Sequence, residues 1–143
     1  MTANPEPGFS FLAELTVHTG EPIDAGPTPL GHRRVIPITG GTVTGRIQGD
    51  VLPLGADWNL VRADGSASVD ARYLVRTHDG AVLTVTNTGV LTSSGSLTSP
   101  RIEAAEGPYR WLNDAPLVGT LVPLVEDDVT VGVSLEFHLV TVS

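Results

Sequence analysis

Glycine and proline set the first limit on what this chain can become. With 16 Gly and 11 Pro among 143 residues, almost every window long enough to carry a helical stripe is interrupted. Proline removes a backbone donor and glycine adds entropy cost to a helix, so long helices are not expected. Between the interruptions β-branched residues dominate, and apolar and polar positions alternate with the two-residue period of a half-buried strand. Phe9 to Val17, Ala56 to Arg62, Ala67 to Thr77, Ala81 to Thr88, Leu117 to Val125 and Val129 to Val142 read this way. Arg33 to Ile38 and Thr42 to Gln48 are extended runs around Gly40-Gly41, a pair suited to a bulge or tight bend. Asp64-Gly65 and Asp79-Gly80 supply the turns of a strand–turn–strand–turn–strand meander. The Pro- and Gly-rich stretch from Gly20 to Gly31 and the Ser/Thr-rich stretch from Thr92 to Pro100 read as loops, whereas Tyr109 to Asn113 continues the strand pattern.

Eight to ten short-linked strands predict one all-β domain over residues 1–143, an antiparallel and closed β-barrel in preference to a sandwich. Closure removes the exposed edges that long apolar strands would otherwise present. The ends of the chain fit this: Phe9, Phe11, Ala13, Leu15 and Val17 share one face of the first strand. Val131, Val133, Leu135, Phe137 and Leu139 share one face of the last. Facing apolar rows are what pairing of the first strand with the last would bury.

Composition narrows the chemistry. The chain has no Cys, and all eight of its basic residues are Arg, so thiolate ligands, thiol nucleophiles and lysine Schiff bases are excluded. A net charge of −8 argues against a nucleic-acid partner. No apolar run approaches the roughly 20 residues of a membrane helix, so no membrane partner and a cytoplasmic location are expected. There is no Gly-x-Ser-x-Gly elbow and no phosphate-cradling glycine loop before a helix. His18, His32, His78 and His138 lie in separate segments without metal-ligand spacing, so neither a metal nor a cofactor is expected.

From Gly40 to Gly89 the chain resembles domain-of-unknown-function family 3237, also called uncharacterised protein family 0311. The residues that carry the resemblance are Gly40-Gly41 with Gly45, then Gly49-Asp50-Val51-Leu52-Pro53-Leu54-Gly55-Ala56-Asp57-Trp58. They continue with Arg62-Ala63-Asp64-Gly65, Asp70-Ala71-Arg72-Tyr73, Thr77-His78-Asp79-Gly80 and Asn87-Thr88-Gly89. Tyr109-Arg110-Trp111-Leu112-Asn113 followed by Val118-Gly119 is similar to the same family's closing motif. Leu54 stands where the family usually has Gly, and His78 where it usually has Asp. The resemblance implies a small antiparallel β-barrel; the family's name carries no reaction.

Strand parity nominates a site. If the apolar face is the barrel interior, Trp58, Arg62, Tyr73 and Asn87 point into one cavity, aromatic walls with a few polar groups. The alternative is that Arg62, Tyr73 and Asn87 only satisfy one another in the core. Asp57, where a Gly-Ala loop enters a strand, is placed for a barrel rim; a partly desolvated carboxylate there suits a general base, and a turn-capping carboxylate is the plainer role. Tyr73 is nominated as acid or oxyanion donor and Arg62 as the fixed positive charge. Trp58, Asn87, Tyr109 and Trp111 are nominated as substrate-binding residues.

With Lys, Cys and nucleotide loops missing, carboxylate, Tyr, His and Arg are the tools that remain. They suit a cofactor-independent acid/base enzyme of isomerase, cyclase or lyase type, acting on a small apolar or aromatic metabolite in the barrel. The alternative is a non-catalytic barrel that binds such a molecule. Leu117, Val118, Leu121, Val122, Leu124, Val125, Val140 and Val142 place apolar groups on both faces of their strands, and predict a homo-oligomer, most simply a dimer.

Overall fold

The nine strands form a single antiparallel sheet that closes on itself, as a computed structural model of the chain shows; it describes residues 3–142. In chain order they are β1 (Pro7–Thr19), β2 (Ile23–Thr28), β3 (Gly31–Gly45), β4 (Gly49–Val61), β5 (Ala67–Thr77), β6 (Val82–Thr92), β7 (Gly95–Glu103), β8 (Leu117–Glu126) and β9 (Val129–Val142). Neighbours follow the order β1-β9-β8-β7-β6-β5-β4-β3, and β1 also pairs β3, so eight strands make the closed barrel. β2 adds outside the ring, on β3. The first and last strands pair as expected, with Leu15 opposite Leu135 and Val17 opposite Val133.

Local chemistry explains the elements. In the β4–β5 turn the Asp64 carboxylate accepts the Ser66 N–H at 2.9 Å and the Ser66 hydroxyl at 2.6 Å. This side-chain capping is what makes Asp suit such turns. Arg110–Asp114 is a single 3-10 turn rather than the strand expected there, and it drives Leu112 into the barrel with 1% of its surface exposed. Asn113 ties that turn to β7, donating to the Ala104 carbonyl and accepting the Ala104 N–H.

Two expected loops are strands. β2 occupies part of Gly20 to Gly31, and β7 runs through Ser96 to Pro100, pairing β6 from Thr92–Gly95 to Thr84–Glu103. In β7 the small hydroxyl side chains decorate a backbone paired along its whole length with β6 and with β8 at Leu97 and Thr98. Ladder hydrogen bonds come from the main chain, so polar composition alone did not reveal the strand. The apolar row of β1 is also broken. The β1–β9 register shifts between Phe11 and Ala13, so Leu12 is fully buried while Phe9 and Phe11 face outward. An extra residue in one strand reverses the in/out alternation on either side of it.

The core fills one half of the barrel. Leu12, Leu15, Val75, Leu83, Val85, Leu112 and Phe137 are nearly inaccessible. They cluster toward the end where β5 finishes, β6 begins and the 3-10 turn plugs the opening. Of the residues named for self-association, Leu121 is buried in the core, whereas Val122, Val125 and Val142 are exposed. No helix among the described residues is long and apolar enough to cross a membrane.

Candidate functional site

The unplugged half of the barrel is hollow. A cavity of about 260 Å³ lies between the C-terminal halves of β1, β4 and β6 and the N-terminal halves of β3, β5 and β9. Its walls are mainly aliphatic, with Val17, Ile36, Ile38, Val69, Leu121 and Leu135 among them. Arg34, Asp57, Asn59, Tyr73 and Asn87 also line it and supply its polar groups.

Register explains why these side chains meet. Asp57 of β4 lies opposite Ile36 of β3 and Ala71 of β5, and Ala71 lies opposite Asn87 of β6. One rung above, Arg34 lies opposite Asn59; one rung below, Gly55 lies opposite Tyr73. Small Ala71 between Asp57 and Asn87 leaves room at the centre, as a filled barrel would not.

The polar groups form a short chain. Arg34 Nη2 donates to Asn59 Oδ1 at 2.8 Å, Asn59 Nδ2 donates to Asp57 Oδ2 at 3.3 Å, and the Asp70 N–H donates to Asp57 Oδ1 at 2.8 Å. Burial raises the Asp57 pKa above the usual carboxylate value, with the Asp70 charge adding to the rise. The backbone N–H of Asp70, the Asn59 amide and the Arg34 charge pull it down, and burial outweighs them. A carboxylate so placed holds a proton more readily than a surface Asp and still has a fixed orientation. Tyr73 is 3% exposed, and desolvation pushes its phenol far above the ordinary range, so it stays neutral and keeps a proton to donate. The Tyr73 hydroxyl, Asn87 Oδ1 and Arg34 Nε are buried without a hydrogen-bond partner.

The nominated residues fall into two groups. Asp57, Tyr73 and Asn87 line the cavity together. Trp58 and Arg62 do not: Trp58 is 48% exposed on the outer face, its carbonyl accepting from Arg33 Nη1, and Arg62 is exposed at the β4–β5 turn. The inward face of β4 here is Asp57 and Asn59, the reverse of the apolar parity that placed Trp58 and Arg62 inside. Tyr109 and Trp111 stand at the plugged end, away from the cavity. The Tyr109 hydroxyl donates to Asp79 at 2.9 Å, and the Arg46 guanidinium lies 5.3 Å from the Trp111 ring. Both contacts fasten the 3-10 turn to the barrel. Tyr109→Phe and Trp111→Ala are each expected to lower unfolding free energy by about 1 kcal/mol. Ligand affinity at the cavity should not change, as calorimetric titration of the same variants would show.

Sequence reasoning passed over Arg34 and Asn59. The signal for Arg34 was present: Arg34, Ile36 and Ile38 alternate, so an inward Ile36 and Ile38 carry Arg34 inward with them.

Fold and site together define a closed antiparallel β-barrel with a mainly aliphatic cavity carrying a few polar groups at one end and a plug at the other. The chain belongs to the family described as Protein of unknown function (DUF3237), whose model matches residues 7–96. It is 35% identical to the UPF0311 protein blr7842 of Bradyrhizobium diazoefficiens, over 71% of this chain and 79% of that one. Among solved structures, a beta-barrel like protein from Acinetobacter baumannii AYE superposes with a TM-score of 0.90 at 26% identity, covering 99% of this chain and 100% of that chain. A more distant relative is the hydroalkoxylation enzyme phnH of Penicillium herquei, 29% identical over 78% of this chain and 71% of that one.

Proposed function

We propose that the barrel is an acid/base enzyme of cyclase or lyase type, adding an alcohol O–H across a carbon–carbon double bond of a small ring compound or reversing that addition. The observation that carries this reading is the Asp57 carboxylate. It is desolvated, clamped by two donors, and shares a mostly aliphatic cavity with the neutral Tyr73 hydroxyl. The relative named as a hydroalkoxylation enzyme supports the reaction class.

The step balances on these side chains. Asp57 takes the proton of the substrate alcohol as its oxygen forms the new C–O bond. When the alkene is conjugated with a carbonyl, the displaced π electrons lodge on that oxygen, where the Tyr73 O–H and the Arg34 guanidinium stabilise them. Protonated Asp57 then delivers the same proton to the neighbouring carbon, and the carboxylate is restored. General acid/base assistance of this kind contributes roughly 10²–10⁴-fold.

The test is a panel of hydroxyaryl enones incubated with the protein in deuterated water. Ring closure with one deuterium on the carbon next to the new ether carbon is the expected result. A panel member that binds yet is recovered unchanged and free of deuterium would instead mark a non-catalytic binding barrel. Arg62→Ala should turn over the substrate at the rate of the parent protein, because Arg62 sits outside the cavity; Arg34→Met should slow it about tenfold or more.

A further inference from the structure

The polar atoms left without partners specify a ligand. Tyr73 and Asn87 are 3% and 1% exposed, both line the cavity, and neither the Tyr73 hydroxyl nor Asn87 Oδ1 has a hydrogen-bond partner; the same is true of Arg34 Nε. Buried polar groups are almost always paired; the fourth such atom among the described residues, Thr98 Oγ1, lies away from the cavity, but three orphans on residues that line one cavity mark a place where something else binds. Tyr73 and Arg34 Nε are donors, and Asn87 Oδ1 is an acceptor. Their complement is a molecule with an oxygen acceptor for the first two and an O–H for the third.

Charge decides which oxygen. Arg34 is the cation of the cavity, and Asp57 is its carboxylate, so a ligand carboxylate would face repulsion from Asp57 beside attraction to Arg34. A carbonyl oxygen, which gathers negative charge only when conjugated electrons move onto it, avoids that conflict. Volume decides how many rings. An engineered cavity of about 150 Å³ holds benzene, so about 260 Å³ suits one to two fused rings.

We propose that the cavity is specific for hydroxy-ketones on a one- or two-ring aromatic skeleton, the carbonyl oxygen bound by Tyr73 and Arg34 and the hydroxyl donating to Asn87 until Asp57 takes its proton. This rests on the reading of the cavity as the substrate site and names its substrate class. Hydrocarbons of the same outline are rejected because they strand all three atoms, the missing carbonyl and the missing hydroxyl each costing about tenfold in affinity.

Calorimetric titration with naphthalene, a naphthol, a hydroxyacetonaphthone and naphthoate tests it. The hydroxy-ketone should bind about tenfold more tightly than the naphthol and about a hundredfold more tightly than naphthalene, with naphthoate weaker than the hydroxy-ketone. Tyr73→Phe should shrink the margin of hydroxy-ketone over naphthol, leaving the part due to Arg34, and Asn87→Leu should remove the margin of naphthol over naphthalene. The order of affinities on the unaltered protein decides the matter even if a variant fails to fold. Equal or tighter binding of naphthalene or naphthoate, or no binding by any of the four, overturns the proposal. The readout is binding alone: affinities in the expected order without turnover of any enone would keep the ligand class and sink the enzymatic reading.

Discussion

Asp57→Asn is expected to lower turnover of a hydroxyaryl enone by a factor of about 10²–10⁴ while the barrel stays folded. The amide keeps the size of the carboxylate and an oxygen for the Asp70 N–H, but it can neither take nor return a proton. Affinity for the hydroxy-ketone should survive, because its partners are Tyr73, Arg34 and Asn87. The pH dependence fixes the role. Asp57 acts first as a base, so kcat/KM of the parent protein should fall as pH drops through the raised Asp57 pKa. Stability gives a second readout that needs no substrate. A carboxyl whose pKa is higher folded than unfolded binds protons more tightly in the folded state. Its contribution to stability is therefore greatest below the unfolded value of about 3.8 and is lost as pH rises through the folded one. At neutral pH the ionised Asp57 is a net cost, so Asp57→Asn should unfold at higher urea than the parent protein. That advantage should shrink as the pH is lowered into the window between the two pKa values. Undiminished turnover in the Asp57→Asn protein would remove Asp57 from the chemistry; lower stability of that protein at neutral pH would contradict the desolvated carboxylate.

The barrel was legible where backbone and side-chain signals agree. The two Asp-Gly turns and the alternation in β4, β5 and β6 gave the meander, and the apolar rows of the end strands gave closure. It was hidden where they separate. β7 carries Ser and Thr on a paired backbone, and the β1 bulge at Leu12 turns Phe9 and Phe11 outward, a one-residue event that no periodicity count registers. The site shows the same division. Tyr73 and Asn87 were placed inside because their strands keep strict parity with Val75, Leu83 and Val85. On β4 the rule that apolar means inward failed, because the cavity needs Asp57 and Asn59 on its wall and leaves Trp58 to the surface. Apolar parity finds a solid core; a cavity that carries polar groups on one wall inverts it locally. Tyr109 and Trp111 were drawn into the site by their chemistry alone, since nothing in the sequence says at which end of a barrel a segment will fold.

Gly55→Ala is expected to be among the most damaging single-methyl additions in the chain, costing about 3 kcal/mol or more and lowering Tm by about 10 °C. The β4–β5 register slips between Val51 and Gly55, and Gly55 absorbs the bend with φ at +103°, a region L residues rarely enter. A Cβ there would sit 2.1 Å from the Arg72 carbonyl oxygen, which is backbone and cannot swing aside. Relief requires β4 to lift away from β5 at the point where Gly55 faces Tyr73, two residues before Asp57. The stability loss and a loss of hydroxy-ketone affinity should therefore appear together. Gly65→Ala separates backbone strain from collision: its φ is +86°, yet nothing lies within 4 Å of the added carbon. It should cost only about 1 kcal/mol and leave the cavity's affinity intact. Thermal melts of the two variants, side by side with titrations of the hydroxy-ketone, decide this. Equal melting temperatures would mean that β4 is not pinned to β5 at Gly55. A destabilised Gly55→Ala barrel that still binds at full strength would mean that the bend shapes the fold without placing Tyr73 and Asp57.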